Sequence, residues 1–367
     1  MARNKAFRLL KTSRKSQARL GRLTTAHGNI PTPFFMPIAT RGSVRALEIS
    51  SMRGLGAHII LSNTYHLWLR PGLSVIQKAG DLHDFMGWQG PILTDSGGYQ
   101  VFSLAKHRVL SRRGVRFRDT VDGSKHFLTP ERALDIQSRL GTDIAMLLDV
   151  CPPFHSSRAE IERSIALTTH WAERSTKVKR TQGQLRFAIV QGAGEKDLRI
   201  AHAQTLREMP FDGFAIGGLA VGETAKEMYR VLEWTVPELP QDSAHYLMGV
   251  GPPEQIVEAV QQGVDMFDCV VPTRNARHGS LFVWKRDELR GKFYEVLKIA
   301  NAKYKSDLRP IDTSCDCATC QTTTRAYIRH LFATEDPLAQ RLCTIHNVRF
   351  YLRLMEKIRA QIRLGQL

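Results

Sequence analysis

The sequence predicts an α/β protein, a (β/α)8 (TIM) barrel followed by a small C-terminal zinc-binding subdomain. Short apolar runs alternate with helical patterns, the form that βα units around a parallel sheet take in sequence. Eight such runs occur, which favours a closed barrel over an open sheet. Three of the six cysteines crowd into Cys315-Asp316-Cys317-Ala318-Thr319-Cys320, a spacing suited to a metal rather than to a disulfide framework. The expected organisation is a barrel with an N-terminal lead-in over residues 1–300, the zinc-binding subdomain over 301–350, and a C-terminal helix over 351–367 packing on the barrel.

In chain order the expected strands are 34–38, 59–61, Ile92–Thr94, 144–149, 187–191, Gly213–Ile216, 246–250 and 265–270. Helices are expected at 159–177, 196–208, 225–233 and 254–262. The stretch after the third strand is too long for a single helix. Val115, Phe117 and Val121 ahead of Asp122-Gly123, with Phe127 beyond, read as a hairpin. Thr129-Pro130-Glu131 then opens a helix, with Thr as cap and Pro in the first turn.

The chain carries 52 Lys+Arg against 35 Asp+Glu, a formal net charge of +17. An excess of that size favours a polyanionic partner through counterion release. At 367 residues and 43% hydrophobic composition, the chain can bury a large core, and one large domain with an appendage fits the length. No stretch approaches the roughly 20 apolar residues of a membrane span. Residues 1–22 are basic but lack the apolar core and cleavage site of a signal peptide. No membrane role and a cytoplasmic address are therefore expected. The cysteine cluster needs a fourth ligand to close a tetrahedral structural site; His346 is the first choice, with Cys343 and His330 as alternatives.

In a barrel of this kind the chemistry lies at the C-terminal ends of the strands. Asp95 follows the third strand, Asp149 closes the fourth, Gln191 the fifth, and Gly217-Gly218 follow the sixth. Met248-Gly249 stand near the end of the seventh, and Asp268 lies in the eighth. One polar residue where a chain leaves a core is common for solvation alone. Three Asp and a Gln converging on one mouth, beside glycines that let a flat ligand touch backbone, indicate a site. Asp268 precedes Arg274 and Arg277 in a segment stiffened by Pro272, and Asp95 is followed by two glycines and Tyr99. Two acids, a flat ring and a basic loop predict sugar–base chemistry on a nucleic acid. A metal-dependent barrel hydrolase would need histidine ligands at strand ends, and no His-x-His occurs.

Several longer segments carry a specific resemblance. Residues 61–67 (LSNTYHL), 94–104 (TDSGGYQVFSL), 216–223 (IGGLAVGE), 246–251 (YLMGVG), 267–279 (FDCVVPTRNARHG) and the Cys-x-Cys-x2-Cys cluster resemble tRNA-guanine transglycosylases of the bacterial, queuosine-forming type. The resemblance runs from about Gly21 to the C-terminus. It implies exchange of the wobble guanine in tRNAs with GUN anticodons (Asp, Asn, His and Tyr) for 7-aminomethyl-7-deazaguanine. Asp268 would be the nucleophile at the ribose anomeric carbon, forming a covalent tRNA–enzyme intermediate, and Asp95 the general acid/base. Tyr99, Asp149, Gln191, Gly218, Leu219 and Met248 would bind the base, with Tyr99 and Met248 on its two faces. Arg274 and Arg277 would contact the tRNA. Cys315, Cys317, Cys320 and His346 would hold one structural zinc, and the family typically forms homodimers.

Three positions depart from the family pattern. Val150 stands where bacterial members usually carry Glu, Pro252-Pro253 replace a common basic residue, and 285–297 (KRDELRGKFYEVL) reads as an insertion. The first lies beside the base pocket and leaves queuine itself open as the incoming base. A non-catalytic tRNA-binding partner subunit is the other alternative, and the presence of both Asp95 and Asp268 argues against it.

Overall fold

The computed structural model describes residues 6–104 and 108–367; residues 1–5 of the expected lead-in lie outside them. Eight parallel strands form one sheet: Phe34–Met36, Ile60–Ser62, Ile92–Thr94, Ile144–Met146, Leu185–Val190, Gly213–Ile216, Ala244–Leu247 and Met266–Asp268. From the second strand to the eighth each pairs with the next, and the eighth pairs with the first. Between the first and second strands, Ile38 and Leu61 form a parallel bridge. Ala39 N donates to Leu61 O at 2.6 Å, and Leu61 N donates to Pro37 O at 3.0 Å. The sheet thereby closes into the barrel predicted from sequence.

Side chains alternate along each strand, and both sides of this sheet are dry. Phe34, Met36, Leu93, Met146, Phe187, Ile189 and Tyr246 share one buried core. Their neighbours Phe35, Ala145, Ala188, Val190, Phe214, Leu247 and Phe267 belong to a second. That double burial makes the strands read as continuous apolar runs. Five strands stop short of expectation, at Met36, Met146, Val190, Leu247 and Asp268 instead of 38, 149, 191, 250 and 270. Pairing ends where the chain turns outward, and the freed residues become the site.

Local chemistry starts the outer helices. Ser157 with Glu160 and Thr224 with Glu227 form reciprocal capping boxes at Arg158–Thr176 and Ala225–Thr235, satisfying end N–H groups that have no helical partner. Thr129 caps Pro130–Arg139 with the proline in the first turn, as expected.

An N-terminal antiparallel sheet (Phe7–Thr12, Arg19–Thr25, Gly28–Thr32) was not anticipated. Its Phe7, Leu23 and Ile30 join the buried core of the barrel strands. A second sheet follows the third barrel strand. It has three strands, Arg108–Ser111, Gly114–Arg118 and Lys125–Leu128, rather than the two of a hairpin. Val121, expected in a strand, sits in the turn and is exposed. The segment read as an insertion supplies the connection and second strand of an antiparallel pair, Ser280–Trp284 with Tyr294–Lys298. Trp284 stacks on Phe350 at 4.4 Å, tying that pair to the 28-residue helix Pro337–Leu364. Among the described residues no helix is long and apolar enough to cross a membrane.

Candidate active site

The two acids flanking the barrel mouth are held differently. Asp95 follows the third strand, and its carboxylate accepts from Thr64 N and Gly97 N, each at 3.1 Å, and from the side-chain amide of Asn63. Burial pushes its pKa up to about 7, and the nearby charge of Asp268 pushes the same way. The three donors oppose both. Asp268 ends the eighth strand, where Oδ1 accepts from Tyr246 Oη at 2.6 Å and from Gly249 N at 2.9 Å. Burial also raises its pKa, with the Tyr246 hydroxyl favouring the ionised form. The structure thus brings together one carboxyl that shares its proton near neutrality and a second within its electrostatic reach.

Three further predicted residues stand at the ends of the next strands, Asp149 beyond the fourth, Gln191 after the fifth and Gly218 after the sixth. Asp149 is buried, and its Oδ2 accepts from Gln191 Nε2 at 2.7 Å. Burial raises the Asp149 pKa to about 6. Gln191 Oε1 has no hydrogen-bond partner. Gly218 is left-handed at φ +66°, and a Cβ there would lie 2.7 Å from Gln191 Oε1. Only glycine keeps that backbone edge open to a ligand. Leu219 is buried, Met248 is half-buried, and Tyr99 on the helix Gly98–Leu104 is 51% exposed. An aromatic ring left that open is available for stacking. Val150 is buried in the core, and its N–H donates to Thr168 Oγ1 at 3.0 Å, so beside Asp149 it offers no charge.

Arg274 and Arg277 lie on the helix Val271–Arg277, directly after the Asp268 strand. Arg277 Nη1 is buried with no hydrogen-bond partner. Burial, with Arg45 and Arg274 nearby, lowers the Arg277 pKa. Crowded cations with unfilled donors favour an anion between them.

The C-terminal group closes as expected. Cys315, Cys317, Cys320 and His346 are all buried, with ligand atoms within 4.8 Å of one another. His346 Nε2 lies 2.7 Å from Phe282 O, a contact that carries the ring proton. Its Nδ1 is then bare and faces Cys320 Sγ at 3.2 Å and Cys317 Sγ at 3.9 Å. A fixed tautomer with its lone pair aimed at thiols is the arrangement of a metal ligand. Cys343 and His330 lie outside the group. The four residues can hold a metal.

Sequence reasoning missed two supporting side chains. Tyr246 looks like core, because it sits in an apolar strand, yet a hydroxyl buried there demands a partner. Asn63 lies in a quoted motif, and its position at the cap of Thr64–Leu67 disguises its second contact, to Asp95.

Comparison with known proteins places the whole chain in one family. A family profile described as Queuine tRNA-ribosyltransferase matches residues 13–367. A queuine tRNA-ribosyltransferase of Thermoanaerobacter sp. (strain X514) is 50% identical over 362 residues, 98% of this chain and 94% of its own. One from Halothermothrix orenii is 49% identical over 358 residues, 98% of this chain and 94% of its own. One from Vibrio parahaemolyticus is 49% identical over 351 residues, 95% and 91% of the two chains. The chain belongs to the queuine tRNA-ribosyltransferase family, a family of transferases.

Proposed function

We propose that this enzyme exchanges the wobble guanine of GUN-anticodon tRNAs (Asp, Asn, His, Tyr) for 7-aminomethyl-7-deazaguanine. The observation that carries this reading is the pair of carboxyls, half-buried Asp95 and buried Asp268, at the strand ends that also carry Asp149, Gln191 and Gly218. The target nucleotide leaves the anticodon stack to reach it. Asp268 attacks the anomeric carbon, forming the ester as the glycosidic bond breaks, and the bond's electrons go to guanine. Asp95 supplies the proton the departing base needs; a pKa near 7 keeps part of it protonated at neutral pH. The incoming base returns that proton to Asp95 and displaces Asp268, and two inversions retain the configuration.

Asp149 accepts from the amidine edge of the base. The second N–H of Gln191 Nε2 and the Gly218 amide serve its carbonyl, Leu219 edges the base, and Tyr99 and Met248 cover the two ring faces. Arg274 and Arg277 take the flanking phosphates. Zinc suits the Cys3His set in donor type, count and burial; when bound it would supply folding energy to the 301–350 region. We read 1–300 as barrel and 351–367 as the packing end of the last helix, and the protein as a cytoplasmic homodimer. Salvage of queuine is the second reading, favoured by Val150 where a carboxylate is usual.

The test is release of labelled guanine from tRNA with each base supplied in turn. Exchange driven by the aminomethyl base supports the first reading. A preference for queuine above about tenfold, ~1.4 kcal/mol, gives the second. A covalent tRNA band on a denaturing gel must vanish in Asp268→Asn; if it persists, the nucleophile lies elsewhere.

A further inference from the structure

The sheet inserted after the third barrel strand has two unlike faces. Val115, Phe117 and Leu128 are buried, and Phe117 packs on Tyr65 and Trp68 with ring centroids 5.6 and 6.0 Å apart. Those two rings belong to the segment that begins at Asn63, whose amide donates to Asp95. Arg70 of the same segment pairs with the buried Asp119 at the sheet's turn. The sheet is therefore fastened to the element that positions the acid/base.

Its other face is free of that packing. Strand register sets Val109, Arg116 and Phe127 in one cross-strand row, with Arg118 opposite Lys125 beside it. Val109 is 66% exposed, and the Arg116 guanidinium lies over the Phe127 ring at 5.5 Å. Together with Arg108, Phe117 and His126 from the alternate register, these residues line a trough of about 730 Å³. No strand residue on this face is acidic. The acids of the turn, Asp119 and Asp122, face Arg70 instead. Three cations around an aromatic ring on an extended sheet form a surface that suits a nucleic-acid backbone, with the ring available to a ribose or base.

We propose that this face is a second RNA-binding surface, which grips the phosphate backbone of the tRNA arm presented to the barrel mouth. The inference rests on the tRNA reading above. It adds a contact on the Asp95 side of the mouth, across from Arg274 and Arg277 on the Asp268 side. It also gives part of the +17 net charge a defined place to act.

The experiment uses the full chain with Arg116→Gln, Arg118→Gln and Lys125→Gln combined, all exposed positions whose change leaves the core intact. Affinity for unmodified tRNA is measured across a salt series, and exchange kinetics alongside. Each lost phosphate contact lowers the slope of log K against log salt by about one, so a decrease of about 2–3 is expected. KM for tRNA should rise, while KM for the base and kcat stay within about twofold of wild type. Wild-type slope and wild-type KM for tRNA in the triple variant would overturn the proposal. Circular dichroism and zinc content confirm that the variant is folded. Failure of the wild-type protein to exchange guanine would sink the proposed reaction instead, and the salt slopes would still report on this surface.

Discussion

Tyr246 donates its hydroxyl to Asp268 Oδ1 at 2.6 Å, joining the seventh and eighth barrel strands at the mouth. A hydrogen bond to a charged group is worth roughly 1.5–3 kcal/mol, and this one favours the ionised carboxylate against a burial that raises its pKa.

Tyr246→Phe removes that support. Exchange at neutral pH should fall by roughly ten- to a hundredfold, at ~1.4 kcal/mol per factor of ten. The sign for pH follows from the same contact. Without it the Asp268 pKa rises further, so the nucleophile is protonated sooner as pH falls, and the acid limb of kcat/KM moves upward. A rate loss with an unmoved acid limb would contradict this assignment.

Asp149 gives a stability signature. Its pKa is raised from 3.8 to about 6 by burial. Below about pH 4 the group is protonated in folded and unfolded chains alike. As pH rises the unfolded chain ionises first, so native stability falls until about pH 6 and stays lower above it. Two units at ~1.4 kcal/mol each set the cost at roughly 3 kcal/mol. Asp149→Asn should therefore be inactive yet more stable than wild type at pH 8, with the gap closing near pH 4. Gln191 Oε1, now without a partner, accepts from the new amide. Denaturant titrations at the two pH values check this, and an equal gap at both rules it out.

Gly218→Ala tests the backbone edge offered to the base. The residue is left-handed, and the added methyl would meet Gln191 Oε1 at 2.7 Å and Arg199 Nη2 at 3.1 Å. Strain of about 1 kcal/mol in stability is expected, with a much larger loss in kcat/KM for the base and little change in tRNA affinity. Equal losses for base and tRNA would point to general disruption.

The metal group separates its alternatives by substitution. Cys317→Ser and His346→Ala should bind less than one zinc per chain and melt at lower temperature, because structural zinc contributes folding energy directly. Cys343→Ser should keep its zinc, since Cys343 stands outside the group of ligand atoms. Metal analysis of purified protein decides it. Full occupancy in His346→Ala reopens the choice of fourth ligand.

The alternation of eight apolar runs with helical patterns determined the barrel. A strand buried on both sides has no polar face to disguise it, and Thr129-Pro130 and the Gly-rich strand ends are local signals that survive any packing. The spacing of Cys315, Cys317 and Cys320 likewise announces a metal group. Tertiary structure settled His346 as the fourth ligand over Cys343 and His330, and alone placed the supporting hydroxyl. His346 and Tyr246 meet their partners across 26 and 22 residues of chain, and no local pattern records such a meeting. The N-terminal sheet and the strand Arg108–Ser111 were illegible for a related reason. Arg108–Ser111 is wholly exposed and Phe7–Thr12 nearly so, so the strand identity of each comes from pairing with a neighbour rather than from a hydrophobic period of its own. The raised pKa values of Asp95 and Asp149 were decided the same way, because burial belongs to the folded shape and not to the residue.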